Sequence, residues 1–259
     1  MSYTKEYLQK GKEIIKIVEK QESVIQEVAK VFATSILSGR MVHLFGSGHS
    51  RIMVEEMWPR YGSFPGFNPI VELSLSFHNL VVGSNGQRQA MFLENVPGLA
   101  PKILRNFDIK KQDSALIISS SGCNVVPIEM AEEFQKKGVK VTALVSSKHL
   151  KGSDSKRNDG KKLTDFADYI LDTGAPLGDA MISIDGLDTP VAPGSTLGGV
   201  LLINTLKAEI ANILVQNGKT PKVLSSGKII GNEKAAELFE SAYDEHAHLM
   251  AKLYENLGN

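Results

Sequence analysis

Ser119-Ser120-Ser121-Gly122-Cys123-Asn124 lies between an apolar strand pattern at residues 116–118 and an amphipathic helical pattern over residues 126–137 that Gly138 stops. Three hydroxyls, a glycine and an amide at the entrance to a helix can hold an anion without Lys or Arg. The Ser O–H groups donate to phosphate oxygens, the backbone N–H groups of the turn point the same way, and the helix N-terminus adds about half a positive charge. A phosphate monoester suits this chemistry. A second turn of the same kind, Gly46-Ser47-Gly48-His49-Ser50, follows an apolar run at 41–45 and leads into a helical pattern through Met57 that Pro59 curtails. Two helix N-termini can thus converge on one ligand at the carboxyl edge of a parallel sheet. The first turn is not a dinucleotide fingerprint, because Arg51 stands where the third Gly belongs, and no Gly-Lys-Ser/Thr follows either turn to make a Walker loop.

Such turns need strands and helices to hold them, and the chain alternates the two patterns, which predicts parallel β-structure with helices on both faces. Residues 3–38 carry Ile14, Ile15, Val18, Val24, Ile25, Val28, Val31 and Phe32 at helical spacing, and Gly39 ends that stretch. Further strands are expected at Ile70-Val71-Glu72 and at residues 139–145, 169–171 and 181–184. Residues 148–162, rich in Lys, Ser, Asp and Gly, read as a mobile surface loop. Residues 195–215 form a long helix that is apolar almost all round, and 232–256 an amphipathic C-terminal helix.

The bulk properties narrow the function. With 259 residues, 42% hydrophobic and 22% charged, the chain is expected to build one domain around one sizeable core. Lys plus Arg equal Asp plus Glu at 29 each, so no overall field recruits nucleic acid or an acidic membrane. Lys207 and Glu209 interrupt the best candidate for a membrane span. A single Cys and a charged N-terminus without an apolar signal core predict a cytoplasmic protein. His246 and His248 are spaced for different faces of a helix, so no metal is expected.

The residues of the two turns resemble the sugar isomerase (SIS) domain family. Ser119, Ser121 and Gly122 fit its Ser-x-Ser-Gly-x-Thr phosphate loop, with Asn124 in place of the Thr, and the match runs on through Lys137-Gly138-Val139-Lys140-Val141. Ser47 and Ser50 fall on ligand-contacting positions of the family's other loop, and Pro193-Gly194-Ser195-Thr196 is similar to a third segment near the sugar. The resemblance implies a three-layer α-β-α sandwich, flavodoxin-like, with a core at 41–217 between an N-terminal helical segment (1–38) and a C-terminal helix. It implies a phosphosugar ligand held by Ser47, Gly48, His49, Ser50, Ser119, Ser120, Ser121, Gly122, Asn124, Ser195 and Thr196, no cofactor, and a homodimer or homotetramer.

Within that family the chain is similar to phosphoheptose isomerases and to a bacterial branch often named after them. Glu55-Glu56 and Arg60-Tyr61 follow the first turn much as Glu-Glu and Arg-Tyr do in those enzymes. Aldose–ketose isomerisation needs a carboxylate that carries a proton between C1 and C2 and an acid–base group near the two oxygens. Glu56 is one candidate for the carboxylate, and Glu209, which matches a Glu of the aminosugar-phosphate branch, is another. No His occurs between 195 and 217, where those isomerases draw theirs, so His78 is the candidate partner, with His49 inside the turn itself. Two other functions fit the same resemblance: an etherase or lyase of the N-acetylmuramic acid 6-phosphate type, and a phosphosugar sensor that binds without turnover.

Overall fold

Three apolar strands, β1 (Val42–Gly46), β3 (Ser114–Ile118) and β4 (Lys140–Val145), are buried on both faces, as strands of a parallel sheet covered by helices must be. β2 (Phe67–Pro69) and β5 (Tyr169–Asp172) complete a parallel sheet of order β2-β1-β3-β4-β5. The computed structural model describes residues 2–76 and 81–257. On one face Val42, Leu44, Leu116, Ile118 and Leu171 meet α2 (Glu22–Leu37), α3 (Arg51–Met57) and α9 (Ser195–Gln216). On the other, Phe45, Ala115, Ile117 and Ala143 meet α6 (Leu99–Leu104) and α7 (Val125–Lys136). The side chains alternate along each strand, and three layers result.

The remaining helices are α1 (Tyr3–Glu19), α4 (Leu73–Ser76), α5 (Gln87–Leu93), α8 (Ser147–Lys151), α10 (Gly227–Ile230) and α11 (Asn232–Lys252). The helical segment expected over 3–38 is two helices. They separate at Gln21, whose side chain donates to Asp172 O (2.8 Å) and accepts from Asp172 N (2.7 Å), pinning the junction to the end of β5. Helix α9 is long and apolar enough to cross a membrane, but it packs against α1, α2 and α3. Gly199 permits the packing on α3, where a Cβ would lie 2.8 Å from Met53 Cγ, and Gly198 the close approach of the chain after β5, where a Cβ would lie 1.9 Å from Thr173 O.

Two strand expectations are corrected. The edge strand is Phe67–Pro69 rather than Ile70-Val71-Glu72; Val71 is exposed, whereas buried Asn68 offers its amide to His43 Nδ1 at 2.9 Å, a polar pairing that hides the strand from an apolar pattern. Residues 181–184 do not join the main sheet. Instead β6 (Ala180–Ile182) pairs antiparallel with β7 (Val191–Pro193) in a separate arm that packs on Ile14 of α1.

At the amino edge of the sheet, buried Asp113 accepts two hydrogen bonds from Arg40 (both 2.8 Å) and lies 3.4 Å from His43 Nε2. Burial alone would raise its carboxyl, but His43 and Arg40 outweigh that and hold it at about 2.

Candidate functional site

Strands β1 and β3 are neighbours whose connections leave on different sides of the sheet, so the crevice beyond their carboxyl ends is the place where an open α/β fold takes a ligand. Both Ser-rich turns are there. After β1 the chain turns tightly at Gly46, where a Cβ would lie 2.8 Å from Ser50 O, and runs through a single 3-10 turn, Gly48–Ser50, into α3. After β3, Gly122 adopts φ +63°, and a Cβ there would strike Leu150 at 2.7 Å.

The hydroxyls of the second turn are arranged to donate outward. Ser119 Oγ accepts from Gly122 N (3.2 Å) and Ser121 Oγ accepts from Cys123 N (3.3 Å), so each O–H proton is left for another acceptor. Ser120 Oγ is buried with no partner. Asn124 stands at the N-cap of the twelve-residue helix α7, which has no acidic residue in its first turn. Cys123 is buried beside them; burial pushes its thiol up, and Sγ donates to Ser121 O, so it serves the turn rather than nucleophilic chemistry.

Between the turns is a cavity of about 390 Å³, within the range of small-molecule sites. Ser47 to Ser50, Ser119 to Ser121, Asn124, Ser195 and Thr196 all line it, so three separate segments singled out by the sequence meet at one place. Gly122 is not among the lining residues; it shapes the turn. Ser195 is already engaged, since its Oγ donates to Asp179 Oδ2 at 2.7 Å.

The cavity also contains residues the sequence did not single out. Glu94, at the end of α5, accepts from Ser47 Oγ at 2.8 Å, and its backbone O accepts from Val126 N at 2.9 Å, so the residue is tied to the first turn and to the start of α7. Its burial raises the carboxyl above the usual range, against the lowering effects of Ser47, Asn124 and Lys156. His149, on α8 after β4, lines the cavity with Nδ1 buried and unpartnered, and Asp154 and Lys156 form part of the exposed rim. These last three lie in the stretch expected to be a mobile loop. It is tied down instead: Lys162 Nζ donates to Leu150 O (2.8 Å) and Ser153 O (2.6 Å), Arg157 pairs with Glu132 (2.7 Å), and Leu163 N donates to Gly122 O (2.8 Å).

The two carboxylates expected to move a proton are elsewhere. Glu56 lines a different pocket, with Arg60, Tyr61 and Tyr243. Partial burial would raise its carboxyl, but the Asn204 amide (2.7 Å) and the Arg60 guanidinium, helped by Lys207, hold it below the usual range. Glu209 is half-exposed in a groove between α1, α2 and α9. The buried ionisable group of α9 is Lys207, whose Nζ donates to Glu56 O (2.8 Å) and Ser63 Oγ (3.3 Å). His78 lies outside the described residues.

Comparison with known proteins agrees with this architecture. The SIS domain family model matches residues 6–146. A UPF0309 protein of Halalkalibacterium halodurans is 31% identical, covering 95% of this chain and 96% of its own. Another from Oceanobacillus iheyensis is 33% identical, over 96% and 100%. Among solved structures, a phosphoheptose isomerase from Neisseria gonorrhoeae superposes with a TM-score of 0.50 at 14% identity, covering 80% of this chain and 95% of that one. The NanR protein of Vibrio vulnificus, complexed with ManNAc-6P, does so with a TM-score of 0.50 at 13% identity, over 92% and 67%. These two share the fold. With its five-stranded parallel sheet and paired Ser-rich turns at the β1/β3 crevice, the chain belongs to the SIS domain family, among the UPF0309 proteins.

Proposed function

We propose that this protein binds a phosphosugar in the β1/β3 crevice and interconverts its aldose and ketose forms in the cytoplasm. The observation that carries the reading is Glu94, a half-buried carboxyl with a raised pKa, hydrogen-bonded to Ser47 of the first turn and lining the cavity that the two turns enclose. The phosphate is held by the free O–H protons of Ser119 and Ser121, by Asn124 and by the N-terminus of α7. The open-chain sugar then extends toward Glu94 and His149. Glu94 takes the proton from C2 of the aldose; the released electron pair forms the C1–C2 double bond, and His149 supplies a proton to O1. Glu94 then returns its proton to C1 while O2 gives its own to His149, which yields the ketose and restores both groups. A carboxyl raised toward neutrality by burial is suited to the first task, and an unpartnered imidazole to the second. No redox cofactor enters this chemistry.

Ser121→Ala tests the anchor. Loss of one hydrogen bond to a charged group is expected to weaken phosphosugar binding by about 1–3 kcal/mol in calorimetry. Unaltered affinity would remove this turn as the phosphate site. A panel of sugar phosphates assayed by NMR in deuterated water tests the reaction. Deuterium entering C1 or C2 supports isomerisation, and release of a carboxylic acid from an ether-bearing sugar means the etherase. Tight binding with neither means a sensor.

Assembly belongs to the same proposal. Leu8 and Ile15 of α1 and Val215 of α9 are exposed, and a homodimer or homotetramer covers them. Light scattering is expected to give a mass of two or four times 28.2 kDa, and a concentration-independent monomer contradicts it.

A further inference from the structure

We infer that Asp179 restricts the cavity to ligands with a single anionic end, by filling with its own carboxylate the helix terminus that a second anionic group would use. This rests on the phosphosugar reading of the same cavity. Helix α9 begins at the cavity wall with twenty-two residues behind it, a strong N-terminus for an anion. Asp179 already stands at its entrance. Asp179 Oδ1 accepts from Gly194 N (3.1 Å) and Ser195 N (2.7 Å), and Oδ2 accepts from Ser195 Oγ (2.7 Å).

The placement is built into the fold. Asp179 has φ +70°, a conformation that non-glycine residues rarely adopt, and it follows Gly178 at φ +75°. The β6–β7 arm holds it there, braced by α1 through Tyr7 Oη to Pro193 O (2.9 Å) and through Lys10 Nζ to Met181 O. A backbone forced into an unfavourable region to deliver one side chain to a cavity wall argues for a role of that side chain in the cavity.

Two consequences follow for the ligand. A second phosphate or a carboxylate entering this end meets the charge of Asp179, with Glu94 in the same cavity, and finds Gly194 N and Ser195 N already paired. Asp179 Oδ2, by contrast, has one donor and keeps a lone pair for a sugar hydroxyl or amine. The ligand class is therefore a sugar monophosphate with a neutral or amino-bearing tail, and sugar bisphosphates and phosphorylated sugar acids are rejected.

Calorimetric titration of the full chain with fructose 6-phosphate and glucosamine 6-phosphate, against fructose 1,6-bisphosphate and 6-phosphogluconate, tests this. The wild type is expected to bind the better monophosphate at least about tenfold more tightly than either doubly anionic ligand, and Asp179→Asn to shrink that ratio by about tenfold. Asn still offers a carbonyl oxygen to Gly194 N and Ser195 N; Asp179→Ser, also a capping residue, removes the charge if the Asn variant does not fold. Equal binding of the two classes by the wild type, or an unchanged ratio in the neutral variants, overturns the role of Asp179 and leaves the phosphosugar reading standing. If no sugar phosphate binds the wild type, both readings fall.

Discussion

Replacing Glu94 with Gln is expected to lower kcat for sugar-phosphate isomerisation by about 10²–10⁴-fold while changing the affinity for the phosphosugar little. The amide keeps the shape of the carboxyl and still accepts from Ser47 Oγ, so the cavity is preserved and only proton transfer is lost. The same change has a signature in stability. Because burial raises the Glu94 carboxyl in the folded state, the folded protein holds that proton to higher pH than the unfolded chain. Stability is therefore lost as pH rises through the folded pKa, and the penalty disappears below the unfolded value. Glu94→Gln is expected to raise Tm near neutral pH and to lose that advantage in acid. An inactive variant with a lowered Tm at neutral pH would show a structural carboxylate rather than a base under strain.

Asp113→Ala is expected to produce the largest loss of stability, about 3–5 kcal/mol, because it leaves the Arg40 guanidinium facing a buried site without its bidentate partner. Asp113 is held at about 2, below its ordinary 3.8. The difference corresponds to about 2 kcal/mol that is fully present above pH 4 and is lost as pH falls through the folded value. Urea melts across acid pH should show this loss in the wild type and its absence in the variant. Glu94 and Asp113 thus shift stability with pH in opposite directions, one at the carboxyl edge of the sheet and one at the amino edge. Ligand affinity of folded Asp113→Ala should match the wild type, since the residue takes no part in the cavity.

The two turns were legible because local chemistry dictates them. Gly46 and Gly122 permit the backbone to reverse after an apolar strand, and small hydroxyls follow before an amphipathic helix; no distant contact is needed to read that. Strand β2 was misplaced for the opposite reason, since what fixes Phe67-Asn68-Pro69 at the edge is a partner on β1, the His43 ring that meets Asn68. Residues 181–184 have the apolar content of a sheet strand, but Ile14 of α1 claims them for a separate arm.

Glu94 was missed because nothing in Leu93-Glu94-Asn95 distinguishes a buried carboxylate from a surface one. Its character comes from burial between the two turns, which are distant in sequence and adjacent only once β1 and β3 lie side by side. Glu56 drew attention through its likeness to an isomerase pattern, yet Arg60 and Asn204 turn it into a different pocket. His149 lay in a stretch whose polar composition reads as loop and Asp179 between two expected strands, and tertiary pinning by Lys162 and by the β6–β7 arm puts both on the cavity wall.

The position of the phosphate decides between the β1/β3 crevice and any other site, and a crystal structure with a hexose 6-phosphate bound measures it directly. The expected result places the phosphate oxygens within hydrogen-bond distance of Ser119 Oγ, Ser121 Oγ and Val125 N, the first backbone N–H group of α7, with the sugar carbons against Glu94. A phosphate found instead beside Arg60 and Tyr61, with the β1/β3 crevice empty, would contradict it.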